Sequence, residues 1–140
     1  GETIDIIPET SEVLRELDRP VFLNGNFHKS LGSIWFYALW YVGLSNNKKH
    51  GGESYEDVRN RIQAAQRLLA EYPADARVVV VSHSVFINLF VAHMCDARPM
   101  SPFEAIHRFA KVLTIKNASI TKVIFEAKSS EKICSWQLSK

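Results

Sequence analysis

The sequence predicts an α/β fold, a three-layer α/β/α domain with a mixed, mostly parallel sheet. Three observations support this prediction. Four consecutive valines at 78–81 lead into an apolar segment, an amphipathic helix precedes them, and β-branched runs follow near the C-terminus. Strands that alternate with helices are typical of α/β folds. We expect a single domain over residues 1–140, because this length fits one hydrophobic core.

The valine run predicts a buried strand that ends at His83. Apolar residues at consecutive positions suit a strand that is covered on both faces, as in a parallel sheet. Ligands bind at the carboxyl ends of such strands, where the next helix presents N–H groups to anions. His83 is therefore a candidate for phosphate binding or proton exchange. A structural histidine in a strand-to-helix turn remains the alternative, and a serine nucleophile at Ser82 or Ser84 is disfavoured because the glycines of a hydrolase elbow are missing.

An amphipathic helix is predicted between Ser54 and Pro73. Ser54 and Asp57 have the spacing of a capping box, and Pro73 ends the pattern. The apolar positions recur at steps of three and four residues: Tyr55, Val58, Ile62, Ala65, Leu69 and Tyr72.

The remaining elements are predicted from shorter patterns. The aromatic helix among them is assigned to the core or to a dimer interface, because it is apolar nearly all round. The predictions are a strand at 4–7, a loop or helical turn at 9–19, an irregular segment at 20–33, the aromatic helix at 35–44, a buried helix to about 95, a short helix at 103–111, a hairpin of 112–115 with 120–125, and an edge strand at 133–138.

Composition excludes several classes of function. The net charge of +2 with interspersed signs gives no footprint for nucleic acid or a membrane surface, and no apolar run is long enough to span a bilayer. Two cysteines, Cys95 and Cys134, are too few for a disulfide framework or a zinc site. We therefore expect free thiols, with Cys95 in the core, and a soluble cytoplasmic protein without a metal site.

Four motifs in order give the chain a resemblance to a known family. It resembles the histidine phosphatase superfamily, with its phosphoglycerate-mutase-like fold, over residues 4–126. Each motif is weak alone, but their order and spacing are specific. The motifs are residues 14–20 (LRELDRP), Gly52-Glu53-Ser54 with Asp57 and Arg61, Ser82-His83-Ser84 after the valines, and residues 117–123 (NASITKV).

The resemblance implies site roles and a substrate class. In that family one histidine is phosphorylated, a second helps to bind the phosphoryl group, and an acid protonates the leaving oxygen. By motif, His83 corresponds to the second histidine and Glu16 to the acid. Ser84 stands where the family usually has glycine, and its N–H is expected to face a phosphate oxygen. A small phosphorylated metabolite is the implied substrate, with no metal or organic cofactor.

The chain departs from the family at its first motif. The Arg-His-Gly segment that carries the phosphorylated histidine is absent from these 140 residues. We therefore expect a truncated domain that lacks the fold's first strand and helix. It is either a phosphoryl-transfer enzyme whose nucleophile comes from elsewhere, or a non-catalytic remnant that acts as an oligomeric or phosphate-binding module.

Two further expectations follow from this departure. The resemblance implies that the first strand is central, and its loss would leave unpaired edges. We therefore expect a homo-oligomer that uses the 35–44 surface or the exposed edge, or else a rearrangement of the strands that closes the gap. The other histidines do not replace the nucleophile, because their sequence surroundings indicate structural or solvated side chains: His28, His50, His93 and His107.

Overall fold

The computed structural model describes residues 7–18, 31–41, 52–112, 119–126 and 134–139. Within these ranges a 3₁₀ turn at Glu12–Leu14 precedes four α-helices and two strands. The helices are α1 (Leu31–Tyr41), α2 (Tyr55–Ala70), α3 (Ser84–His93) and α4 (Pro102–Val112), and the strands are β1 (Val123–Phe125) and β2 (Trp136–Leu138).

Helix α2 confirms the prediction made from its capping box. The Ser54 hydroxyl accepts a hydrogen bond from the Asp57 N–H at 3.1 Å, and the Ser54 N–H donates to the Asp57 carboxylate at the same distance. These reciprocal bonds satisfy N–H groups that the first helical turn leaves without partners. The buried face of α2 consists of Tyr55, Val58, Ile62 and Ala65.

The core lies between α2 and α3. Phe86 and Leu89 of α3 are almost fully buried, as are Val58 and Ile62 of α2. The prediction of a buried helix after His83 is therefore confirmed, and α3 ends at His93, close to the expected position. This packing fixes the N-terminal ends of both helices relative to each other.

Helices α1 and α4 largely agree with the sequence predictions. Helix α1 begins at Leu31, so the prediction of an irregular segment is wrong for residues 31–33. Its Trp40 is buried, and its indole N–H donates to the Glu53 carbonyl at 2.7 Å. Helix α4 begins at Pro102, and a capping box of Ser101 with Glu104 precedes it.

The sheet within the described ranges has two antiparallel strands. Val123 pairs with Leu138 and Phe125 with Trp136, which places the predicted edge strand beside the predicted 120–125 strand. The other half of the predicted hairpin is not confirmed, because Val112 ends α4 and residues 113–115 lie outside the described ranges, as do residues 4–6. The α/β character is present, but a parallel sheet and a three-layer arrangement are not confirmed by the described residues.

The prediction of a buried strand before His83 is wrong in this structure. Residues 77–82 form no strand, and the side chains of Val79 and Val81 are 89% and 92% exposed. A strand forms only when neighbouring strands satisfy its backbone groups, however favourable its side chains are. No described residue pairs with this run, so β propensity alone does not produce the element.

The prediction of two free thiols is also wrong. Cys95, after α3, and Cys134, before β2, form a disulfide across a sequence separation of 39 residues. Cys95 is exposed rather than part of the core. The prediction of a cytoplasmic location used free thiols and loses that support. Among the described helices, none combines the length and apolar character needed to cross a bilayer.

A buried hydrogen-bonded network joins α2, α3 and the segment before α4. The Met100 N–H donates to the Tyr55 hydroxyl oxygen at 3.2 Å, and that hydroxyl lies 2.9 Å from His93 Nε2. His93 Nδ1 lies 3.1 Å from the Asp96 carbonyl. Because a carbonyl only accepts, Nδ1 carries the proton, and Nε2 accepts from Tyr55. His93 is therefore a structural histidine, as predicted.

Burial makes this network sensitive to pH. Desolvation lowers the pKa of His93 below 6.5, and the Asp96 carbonyl offsets only part of this effect. The unfolded chain binds a proton at this histidine at higher pH than the folded chain does. The free energy of unfolding should therefore fall as pH drops from about 6.5 towards the lower folded-state pKa.

Chemical denaturation of wild type and His93→Gln between pH 7.5 and pH 4.5 checks this prediction. The variant is expected to be less stable at neutral pH but to lose less stability on acidification. His107→Gln, which changes an exposed histidine, is the control and should follow the wild-type curve. Equal slopes for wild type and His93→Gln would contradict the assignment.

Candidate functional site

Three segments meet at the N-terminal ends of α2 and α3. They are the N-terminal turn (residues 12–18), the cap of α2 (residues 52–54) and the segment that enters α3 (residues 82–84). Hydrogen bonds connect each segment to the N-terminal turn or to α2. The predicted residues Glu16, His83 and Ser84 all lie here.

A charged pair joins the segment before α2 to the helix itself. Arg61 Nε and Nη2 each donate to one carboxylate oxygen of Glu53, both at 2.8 Å. The two side chains are only 10% and 12% exposed. The guanidinium also lies over the Phe86 ring of α3, 4.8 Å from its centroid. Such a two-point contact satisfies charges that are largely removed from water.

Three consecutive carbonyl groups of the N-terminal turn accept hydrogen bonds from side chains. Arg61 Nη1 donates to the Val13 carbonyl at 3.3 Å and to the Arg15 carbonyl at 2.8 Å. The Ser82 hydroxyl donates to the Leu14 carbonyl between them at 2.6 Å. The turn is therefore attached to α2 and to the residue before His83.

Glu53 makes a second set of contacts with the same turn. Its carboxylate accepts from the Asp18 N–H at 3.1 Å, and its own N–H donates to the Asp18 carbonyl at 3.2 Å. Arg15 approaches the Glu53 carboxylate at 3.4 Å and the Asp18 carboxylate at 2.5 Å. Both arginines of the site are thus paired with carboxylates.

The carboxylate of Glu16 lies beside the ring of His83. The distance from Glu16 Oε2 to His83 Nδ1 is 3.7 Å. The other oxygen, Oε1, accepts from the Leu17 N–H at 2.9 Å, which orients the carboxylate. The His83 side chain is 65% exposed and that of Glu16 is 25% exposed, so a ligand can approach both from solvent. The pair can provide an acid and a donor to one bound group.

Helix α3 begins directly after His83, with Ser84 as its first residue. His83 is the N-cap, with extended backbone angles, and its side chain makes no capping hydrogen bond. Helices α2 and α4, by contrast, have capping boxes from their own side chains. The first N–H groups of α3 therefore lack the side-chain acceptor that α2 and α4 have, and an N-terminus of this kind favours anions.

The other histidines within the described residues, His93 and His107, lie apart from this site. A cavity of about 310 Å³ beside α4 includes neither His83 nor Glu16, and its lining residues are Ala92, Met100, Phe103, Glu104, His107 and Arg108. His93 belongs to the buried network, while His28 and His50 lie outside the described residues.

Sequence reasoning identified Glu16, His83 and Ser84 but gave no role to Glu53, Arg61 or Ser82. One signal was available for the charged pair. Glu53 directly precedes the predicted cap at Ser54 and Arg61 lies on the predicted helix, and both belong to one of the four motifs of the family resemblance. No local signal identified Ser82, because its partner is 68 residues away in the sequence.

Comparison with known proteins identifies the family of the chain. The family model of the histidine phosphatase superfamily (branch 1) matches residues 1–136. No curated protein and no solved structure matches the chain significantly. The match covers almost the whole sequence and includes every segment of the candidate site, and the chain belongs to the histidine phosphatase superfamily.

Proposed function

We propose that this chain takes part in phosphoryl transfer on a small phosphorylated metabolite. Membership of the histidine phosphatase superfamily supports a function of the phosphoryl-transfer type. The observation that carries the proposal is the Glu16 carboxylate 3.7 Å from His83, which is the N-cap of α3 and makes no capping hydrogen bond with its side chain. In this proposal His83 and Ser84 bind the phosphoryl group, and Glu16 acts as the acid.

The chemistry of the reaction fits these groups. A transferring phosphoryl group distributes negative charge over three oxygens and requires donors around them. A ring N–H of His83 and the Ser84 N–H supply such donors. When the bond from phosphorus to the substrate oxygen breaks, that oxygen needs a proton, and a protonated Glu16 supplies it.

The nucleophile is the part of the proposal that these residues do not supply. The family's Arg-His-Gly motif, which carries the nucleophilic histidine, is absent from these 140 residues. Arg15 and Arg61 of the site are paired with carboxylates. We therefore propose that an enzyme of this type takes its nucleophilic histidine from outside residues 1–140. A domain that binds phosphate without catalysis is the second candidate, and the absent motif favours it.

Inorganic phosphate is expected to bind at the N-terminus of α3. Titration of the ¹⁵N-labelled chain with inorganic phosphate should move the amide signals of Ser84 and its neighbours in α3. His83→Ala should weaken binding about tenfold or more, because a charge-assisted hydrogen bond is lost. Glu16→Gln should bind phosphate at least as well, because a negative charge is removed from beside the anion.

The control for this titration is His107→Ala, which changes a histidine of α4 outside the site. It should bind phosphate as the wild type does. Phosphate-induced shifts elsewhere in the chain, or equal affinity of wild type and His83→Ala, would contradict the proposed site.

Turnover of p-nitrophenyl phosphate separates the enzyme from the binding module. The purified chain alone should be inactive or nearly so, because its nucleophile is missing. Turnover that His83→Ala abolishes would exclude a non-catalytic module. Phosphate binding without turnover, even after a peptide carrying Arg-His-Gly is supplied, would favour the module.

We also propose that the chain forms a homo-oligomer. The exposed side chains of Trp35 on α1 and of Val79 and Val81 before α3 support this proposal, because such apolar groups are usually covered. Sedimentation velocity should show a concentration-dependent species larger than a monomer, which Val79→Lys or Trp35→Lys weakens. A monomer of 15.9 kDa at all concentrations would contradict it.

A further inference from the structure

We propose that Arg61 and Ser82 are positioning residues that keep the Glu16 carboxylate beside the His83 ring. They do so by binding the three carbonyl groups that precede Glu16 in the chain. The proposal rests on the proposed function, which gives Glu16 and His83 their roles in phosphoryl transfer. Its test does not, because it measures the tautomer ratio of the His83 ring.

The first observation is the continuity of the bonded carbonyl groups. Val13, Leu14 and Arg15 are consecutive, and each carbonyl accepts a hydrogen bond from a side chain of another segment. Arg61 holds the outer two, and Ser82 holds the middle one. With three successive peptide units fixed in this way, the backbone has little freedom left before Glu16.

The second observation is that Arg61 is itself fixed. Its Nε and Nη2 are bonded to Glu53, its Nη1 to the turn, and its plane lies over Phe86. A guanidinium offers five donors in a rigid planar arrangement, which an ammonium group does not. Arg61 therefore holds the turn that carries Glu16 in a fixed position relative to α2 and α3.

The third observation is the position of Ser82 directly before His83. Its hydroxyl bond to the Leu14 carbonyl is 2.6 Å long and connects the two backbones that carry the acid and the histidine. A shift of the turn relative to Ser82 changes the distance of 3.7 Å between Glu16 and His83. The two positioning residues thus act on the same distance.

This distance has a spectroscopic consequence. In a neutral imidazole the proton occupies either Nδ1 or Nε2, and a carboxylate close to Nδ1 favours the tautomer with the proton on Nδ1. The ring nitrogen chemical shifts of ¹⁵N-histidine report this ratio at roughly pH 9, above the usual range of histidine titration. The His83 signals are assigned by their loss in His83→Gln.

The experiment compares wild type with Ser82→Ala, Ser82→Thr and Arg61→Lys. Wild type should show an excess of the Nδ1-protonated tautomer, which Glu16→Gln reduces. Ser82→Ala and Arg61→Lys should each reduce the ratio of the two tautomers by about twofold or more, as expected for a lost hydrogen bond of modest net strength. Ser82→Thr should restore it, because threonine keeps the hydroxyl.

Two matched controls separate positioning from a general loss of stability. Ser101→Ala removes a hydroxyl that bonds within the cap of α4, and Arg98→Lys removes a two-point arginine–carboxylate contact with Asp96 on the surface. Both should leave the His83 ratio unchanged while lowering or preserving the melting temperature.

A wild-type tautomer ratio in folded Ser82→Ala would overturn the proposal, and so would an equal change in the controls. If Arg61→Lys does not fold, Ser82→Ala with its threonine rescue decides the question alone. Phosphate titration of the same samples tests the proposed function separately from the positioning roles of Arg61 and Ser82. Altered tautomers without phosphate binding in wild type would refute the proposed function and leave the positioning roles established.

Discussion

The two-point contact between Arg61 and Glu53 is the interaction on which the site depends. Both side chains are nearly excluded from water, so each charge requires the other. Removal of one partner from a buried pair typically costs about 3–5 kcal/mol, because the remaining charge stays desolvated. The donors of Arg61 that Glu53 does not use go to main-chain carbonyl groups. One cation thereby holds together the cap of α2, the N-terminal turn and the side of α3 that carries Phe86.

The N-termini of α2, α3 and α4 differ in their capping, and this difference indicates where a ligand can bind. Helices α2 and α4 satisfy their first N–H groups with serine and carboxylate side chains from their own sequence. Helix α3 begins with His83, which makes no such bond. The local carboxylates are meanwhile engaged with Arg15 and Arg61, apart from Glu16 next to the His83 ring. Among the starts of α2, α3 and α4, the distribution of partners thus leaves that of α3 suited to an anion, with the Glu16 carboxylate beside it.

The sequence predicted the elements that local interactions determine. The cap of α2, its buried face and the apolar α3 follow from contacts between residues a few positions apart. The valine run shows the limit of this reasoning, because a strand depends on partners that its own residues do not specify. The Cys95–Cys134 disulfide was missed for the same reason: it depends on a partner 39 residues away that the fold brings close.

The same limit applies to the site, where some residues could be predicted from the sequence and others could not. Glu16 and His83 were given roles by their motifs, whereas Arg61 and Ser82 lie in the same set of motifs but were given none. Ser82 and Arg61 act through contacts with residues 46 to 68 positions away, and nothing in their immediate neighbours indicates those contacts. Composition and periodicity describe which surfaces are buried, but they do not state which side chain meets which carbonyl group.

A crystal structure of the chain soaked with tungstate, a strongly scattering analogue of phosphate, tests the central claim most directly. We expect tungstate at the N-terminus of α3, with oxygens within hydrogen-bonding distance of the His83 ring and the Ser84 N–H and with Glu16 beside them. Tungstate bound only elsewhere, or His83 and Glu16 found far apart with the Arg61–Glu53 pair intact, would contradict it.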